Sequence, residues 1–145
     1  MMEDLIRKLN SKGYQRIAVL NSDETFLKTI TNALPGVITD REVDQRCPYM
    51  FIIVFVTKVA EIEHFAPVAL HNLTADGILW ICFPKKSSKK INSEVTRDKG
   101  WDVLNNAGFH GIRIVSLDED WSALRFRNIK YIKSESARFK KEVKS

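Results

Sequence analysis

The chain has 145 residues, 44% of them hydrophobic and 28% charged, with a formal net charge of +5. That balance fits one globular domain with a substantial core and excludes a disordered or fibrous chain. The longest apolar run, Met50 to Val56, is far too short to span a bilayer, so no membrane partner is expected.

The first residues, Met1-Met2-Glu3-Asp4-Leu5, carry neither the basic nor the apolar segment of a signal peptide. Leu5, Ile6 and Leu9 have helical spacing, and Gly13 is a suitable stop. A strand follows at residues 15–20. It runs into Asn21-Ser22-Asp23-Glu24-Thr25-Phe26, a turn without glycine. Ser22 or Asp23 can cap the next helix, whose Phe26, Leu27, Ile30 and Leu34 recur at three and four residues, and Pro35-Gly36 ends it. Val37-Ile38-Thr39 reads as a short edge strand. About nine residues then lead to residues 49–56, an apolar run suited to a central parallel strand. That connection is short, because parallel crossovers usually need a dozen residues or more.

Thr57-Lys58 leads into a helix through Val59, Ile62, Phe65, Val68, Leu70 and Leu73, where Pro67 predicts a kink or two short helices. Asp76-Gly77 predicts a turn, and residues 78–83 a second central strand in which Trp80 and Cys82 are packing residues. After a polar loop, Ser93 can cap a helix carrying Val95, a half-buried Trp101, Val103 and Leu104, closed by Asn105 to Gly108. Residues 112–117 and 123–127 read as strands joined by a connector short enough for an antiparallel pair.

The alternation predicts an α/β fold: a three-layer α/β/α sandwich with a mostly parallel sheet ending in an antiparallel hairpin. One domain is expected over residues 1–129. Residues 130–145 form a basic tail with six Lys/Arg and two Glu, which accounts for most of the net charge. Cys47 and Cys82 give neither a disulfide framework nor metal-ligand spacing, and His64, His71 and His110 make no ligand set. The default compartment is the cytoplasm.

From residue 49 onward, Leu73 to Ile81, the helix-ending Ala107-Gly108-Phe109 and the final hairpin resemble the second half of the Rossmann-like S-adenosylmethionine-dependent methyltransferase fold. Leu20-Asn21, Phe55-Val56-Thr57, Trp80 through Phe83-Pro84-Lys85-Lys86, Asp118 and Trp121-Ser122-Ala123-Leu124-Arg125 are similar to a family of small uncharacterised bacterial domains. The first resemblance implies a glycine-rich cofactor loop after strand one, which this chain lacks. It also implies an acidic residue after strand two for the ribose hydroxyls, for which Asp40 and Glu42 are the candidates.

Open α/β sheets bind ligands at the carboxyl ends of their strands. Asn21, Ser22, Thr57, Lys85, Lys86, Trp121 and Arg125 are the residues expected to gather there, with Lys85 and Lys86 suited to an anion and Arg125 able to pair with Asp118 or Asp120. The expected function is a non-catalytic or degenerate methyltransferase-like domain that binds a small anionic molecule or a protein partner, without a cofactor. The alternative is an S-adenosylmethionine-dependent methyltransferase in which Asp23 or Glu24 meets the ribose and Asn21 the methionine part. Carboxylates in that turn would repel the methionine carboxylate. A third reading, nucleic-acid association through Lys85 to Lys90 and the tail, lacks a recognition or stacking motif.

Overall fold

The computed structural model describes residues 14–46, 48–88 and 91–132. The helix expected at Leu5 to Leu9, Cys47, Lys89, Lys90 and residues 133–145 of the tail lie outside them. In chain order the elements are β1 (Arg16–Leu20), α1 (Glu24–Ala33), β2 (Ile38–Asp40), β3 (Tyr49–Phe55), α2 (Val59–His71), β4 (Leu73–Pro84), α3 (Asp102–Asn106), β5 (Phe109–Ser116) and β6 (Trp121–Asn128), with a closing 3-10 turn at Ile129–Tyr131. The strands make one sheet in the order β2-β1-β3-β4-β6-β5. The first four run parallel, and β6 is antiparallel to both of its neighbours. No helix among the described residues is long and apolar enough to cross a membrane.

The alternation of each central strand divides the core in two. Ala18, Ile52, Val54, Leu79 and Ile81 pack beneath Ile62, Ala66 and Ala69 of α2 and Leu104 of α3. Ile17, Val19, Ile53, Trp80 and Cys82 face the other side, where Ile30, Phe26 and Leu27 of α1 cover part of them. Burial on both faces explains why these strands are apolar throughout. Each large side chain so removed from water contributes about 1.5–3 kcal/mol.

Local signals account for most boundaries. Asp23 accepts a 2.7 Å hydrogen bond from the Phe26 amide and so caps α1. Gly36, at φ 85°, turns the chain into β2. The short connection to β3 is possible because of register. Ala18 is level with both Asp40 and Ile52, so the chain descends only three residues, to Tyr49, while it crosses β1. The described residues on the way, 41–46 and 48, include no helix.

Two local expectations fail for identifiable reasons, and a third is narrowed. Asp76-Gly77 is not a turn between elements but part of β4. Tyr49 pairs with Leu73 and Phe51 with Ile78, so the extra residues are absorbed as an irregularity in which Asp76 takes φ 54°. Pro67 lies inside a single helix, α2, so the alternative of two short helices is not the one realised. The helix expected from Ser93 is only five residues long. Its first part is instead a tight turn in which Thr96 bridges Lys99 and Gly100 sits at φ 110°. The Trp101 indole N–H donates to the Thr96 and Arg97 carbonyls, both at 3.0 Å, and the ring is buried rather than half-buried.

Candidate functional site

β1 has β2 on one side and β3 on the other, so the sheet changes direction there. That switch point leaves a crevice outside the strand ends, the usual ligand position in open α/β sheets. A cleft of about 750 Å³ lies at this place, within the usual size of small-molecule sites. Val19, Asn21 and Ser22 line it from the end of β1, Thr39 to Glu42 from the end of β2, and Phe65 from α2.

The glycine-free turn has its own solution. Asn21 adopts φ 61°, the left-handed conformation that Asn tolerates better than most side chains. Its amide nitrogen donates to the Phe55 carbonyl at 2.8 Å and to Glu61 at 3.0 Å. Glu61 also accepts from the Thr57 amide at 2.7 Å, the Thr57 hydroxyl at 3.2 Å and the Lys58 amide at 3.2 Å. Partial burial opposes its ionisation, but those donors outweigh it and hold the carboxyl below its ordinary value. Two carboxylates in the turn raised the prospect of repulsion, yet both are engaged. Asp23 caps α1, and Glu24 pairs with Arg41 at the rim of the cleft.

Beneath the cleft, Asp40 Oδ2 accepts from Arg16 Nε at 2.6 Å and from the Tyr49 hydroxyl at 2.5 Å. Arg16 also reaches Asp44 at 3.4 Å, and the Asp44 amide donates to the Tyr49 oxygen at 2.9 Å. Burial opposes a charge on Asp40, but Arg16 and Tyr49 hold its carboxyl below the ordinary range. Burial and the Asp40 bond push the Tyr49 phenol up to about 12. This network fixes the loop after β2, whose Glu42 is exposed at the cleft. Thr39 Oγ1 is buried there without a hydrogen-bond partner.

The seven residues expected to gather at one site are split. Asn21 and Ser22 line the cleft. Thr57 is committed to structure: its amide and hydroxyl serve Glu61, while its carbonyl accepts from the Glu94 amide and Ser93 hydroxyl. Lys85 Nζ donates to Ser116 Oγ at 2.6 Å on the hairpin side, and Lys86 is exposed. Trp121 is edge-on to Phe55 at 5.1 Å in the cluster under α1, and does not line the cleft. Arg125 does not pair with Asp118 or Asp120. Asp118 accepts from the amides of Asp120 and Trp121, and Asp120 from Ser88, while Arg125 Nε is buried without a partner. Thr39, Arg41 and Phe65 were not expected at a site. The run Thr39-Asp40-Arg41-Glu42 after a short strand was a readable signal, whereas Phe65 reads only as a core position. Among the described residues no three His, Cys, Asp or Glu side chains gather to hold a metal.

No protein-family model and no curated protein sequence matches the chain. Its fold does have solved neighbours. The N-methyltransferase NodS from Bradyrhizobium japonicum WM9 is similar at a TM-score of 0.57 and 12% identity, over 87% of this chain and 93% of that one. A SAM-dependent methyltransferase from Aquifex aeolicus is similar at 0.53 and 14%, over 88% and 89% respectively. An N-methyltransferase acting on phosphoethanolamine, from Haemonchus contortus and in complex with phosphomonomethylethanolamine and S-adenosylhomocysteine, gives 0.55 and 14%, over 91% of this chain but only 38% of that one. The chain thus has the methyltransferase-like Rossmann fold. These neighbours overturn two expectations, that the domain is non-catalytic or degenerate and that it takes no cofactor. Both expectations rested mainly on the glycine-free turn, whose two carboxylates are engaged within the chain.

Proposed function

We propose that the chain is an S-adenosylmethionine-dependent methyltransferase, or the cofactor-binding unit of one, and that the cleft at the ends of β1 and β2 holds the cofactor. One observation carries this reading: a polar cleft of suitable volume coincides with the switch point of a methyltransferase-like sheet. The residues present fit the group. Glu42 is an exposed carboxylate able to accept from a ribose diol, and the unpartnered Thr39 hydroxyl lies in the same wall. Asp40 Oδ2 is occupied by Arg16 and Tyr49, so Asp40 shapes this wall more than it reads the ligand. Phe65 offers apolar surface. The left-handed Asn21 holds the β1 turn against the end of β3. Bound S-adenosylmethionine would supply an electrophilic methyl group.

Calorimetry with S-adenosylhomocysteine and S-adenosylmethionine tests the proposal. Saturable binding is expected, and Glu42→Gln is expected to weaken it by roughly tenfold or more, the usual cost of a hydrogen bond to a charged group. Absence of heat and of a thermal shift at millimolar ligand would overturn it.

A further inference from the structure

The hairpin of β5 and β6 carries an arrangement that the cleft does not use. Arg113 and Arg125 are register partners across the two strands. Side chains so opposed have Cβ atoms about 5 Å apart, and like charges there repel. An irregularity creates the opposition. Gly111 pairs with Phe126 and the next pair is Arg113 with Arg125, so Ile112 is an extra residue. Without it, the two-residue alternation would set Ile112 against Arg125 and send Arg113 to the other face, opposite Leu124. A β-bulge re-aims side chains in this way. Here it sets one arginine opposite another.

No carboxylate among the described residues neutralises the pair. Asp76 acts on Arg125 at a distance, but both its oxygens are taken by Arg127, at 2.7 and 2.6 Å. Arg125 Nε is buried without an acceptor, a costly state for a charged donor. Burial, with the nearby charges of Arg127 and Arg113, holds its pKa below the usual guanidinium range. Arg113 is exposed, so the pair opens to solvent on that side. Two planar forks on opposed residues, one half-buried and one exposed, suit a tetrahedral oxyanion, which can accept several N–H bonds at once.

We propose that Arg113 and Arg125 form a binding site for the phosphate group of a small phosphate monoester. Arg125 supplies the recessed donor, and Arg113 meets the group from the strand edge. Arg125 is level with Trp80 and, through it, with Ile53 on β3. The site therefore lies on the face of the sheet, away from the strand ends, and does not depend on the methyl-transfer reading.

The test is calorimetry and thermal unfolding with inorganic phosphate and with phenyl phosphate, at an ionic strength held constant with chloride. The proteins are the full chain, Arg113→Gln, Arg125→Gln and the double variant. Saturable heat and a raised Tm are expected for the unchanged chain, a loss of affinity of roughly tenfold or more in each single variant, and no response in the double variant. A cooperative thermal transition in each variant reports that it is folded, and binding of S-adenosylhomocysteine by Arg113→Gln, compared with the unchanged chain on the same samples, separates this site from the cleft. A response no larger than that to chloride overturns the proposal, as does an equal response in all four proteins. A single-stranded oligonucleotide that displaces phenyl phosphate and binds more tightly than it, with steep salt dependence, also overturns it, in favour of a polyanion surface.

Discussion

Around the cleft, Arg16 is matched by Asp40 and Asp44, Glu24 by Arg41, and Glu61 by Asn21 and two backbone amides. On the hairpin at the other side of the sheet, Arg113 and Arg125 are opposed, Arg125 Nε is buried without a hydrogen-bond partner, and among the described residues only Asp76 acts on Arg125, at a distance. Both regions belong to the same sheet, yet one uses charge to fix backbone and the other, among the described residues, leaves a guanidinium pair without a hydrogen-bonded carboxylate. A matched charge reports on stability. An unmatched one, kept in place by an irregular strand, points to something outside the chain. Substitutions in the two regions should therefore have opposite signs.

The largest effect is expected where the regions meet. Trp80 is fully buried on β4 and in register with both Ile53 and Arg125. Trp80→Ala is expected to cost about 3–5 kcal/mol, read as a shift of the urea midpoint with a single transition. Two separated transitions would mean that the halves fold independently.

On the cleft side, Asn21→Ala is expected to cost about 2 kcal/mol, from two lost hydrogen bonds and a left-handed backbone that Ala resists. Asn21→Gly keeps the conformation and should cost clearly less. Equal costs would show that the side-chain bonds, not φ, dominate.

Tyr49→Phe removes the hydroxyl shared by Asp40 and the Asp44 amide and is expected to cost about 1–2 kcal/mol. It also carries a pH signature. The folded chain holds the phenolic proton up to about 12, against an ordinary 10.0. That stabilisation is whole below about pH 10 and is lost as pH rises through about 12. Denaturation against pH should show the alkaline loss in the unchanged protein and a flatter limb in the variant.

The smallest effect, and the one of opposite sign, belongs to the hairpin. Arg125→Met removes a half-buried guanidinium whose Nε has no acceptor, and exchanges it for an apolar chain of similar length. Such replacements are often neutral or stabilising; a change below about 1 kcal/mol in the stabilising direction is expected by chemical denaturation. A clear destabilisation would mean that Arg125 has a structural partner after all.

Much of the fold was legible because local chemistry and tertiary packing agree. Asp23 caps α1 as its side chain permits, and the apolar run at residues 49–56 becomes a strand buried on both faces. Where they disagree, the sequence misleads. Asp76-Gly77 has turn chemistry, but pairing with β3 on either side keeps it within β4. Thr96 to Gly100 has its own turn signal, Asp-Lys-Gly, which the helical spacing of the flanking apolar residues masked. The site was less legible. Whether Asp23 and Glu24 repel a ligand depends on what they bind, and Arg41, the partner of Glu24, is seventeen residues away. The Arg113–Arg125 pair was hidden for a related reason, since strict alternation places Arg113 on the opposite face until Ile112 is counted as an extra residue.

That extra residue also bears on how one border of the sheet meets solvent. β5 is an eight-residue strand at the border of the sheet, with Ile112 and Ile114 exposed, whereas β2 at the other border has only three residues. A long apolar border is a template on which a second chain can add a strand. The bulge interrupts its row of free amides and carbonyls and increases the local twist, and Arg113 adds a charge in mid-strand. One inserted isoleucine thus makes this border a poorer template for edge-to-edge pairing than an unbroken strand of the same length would be.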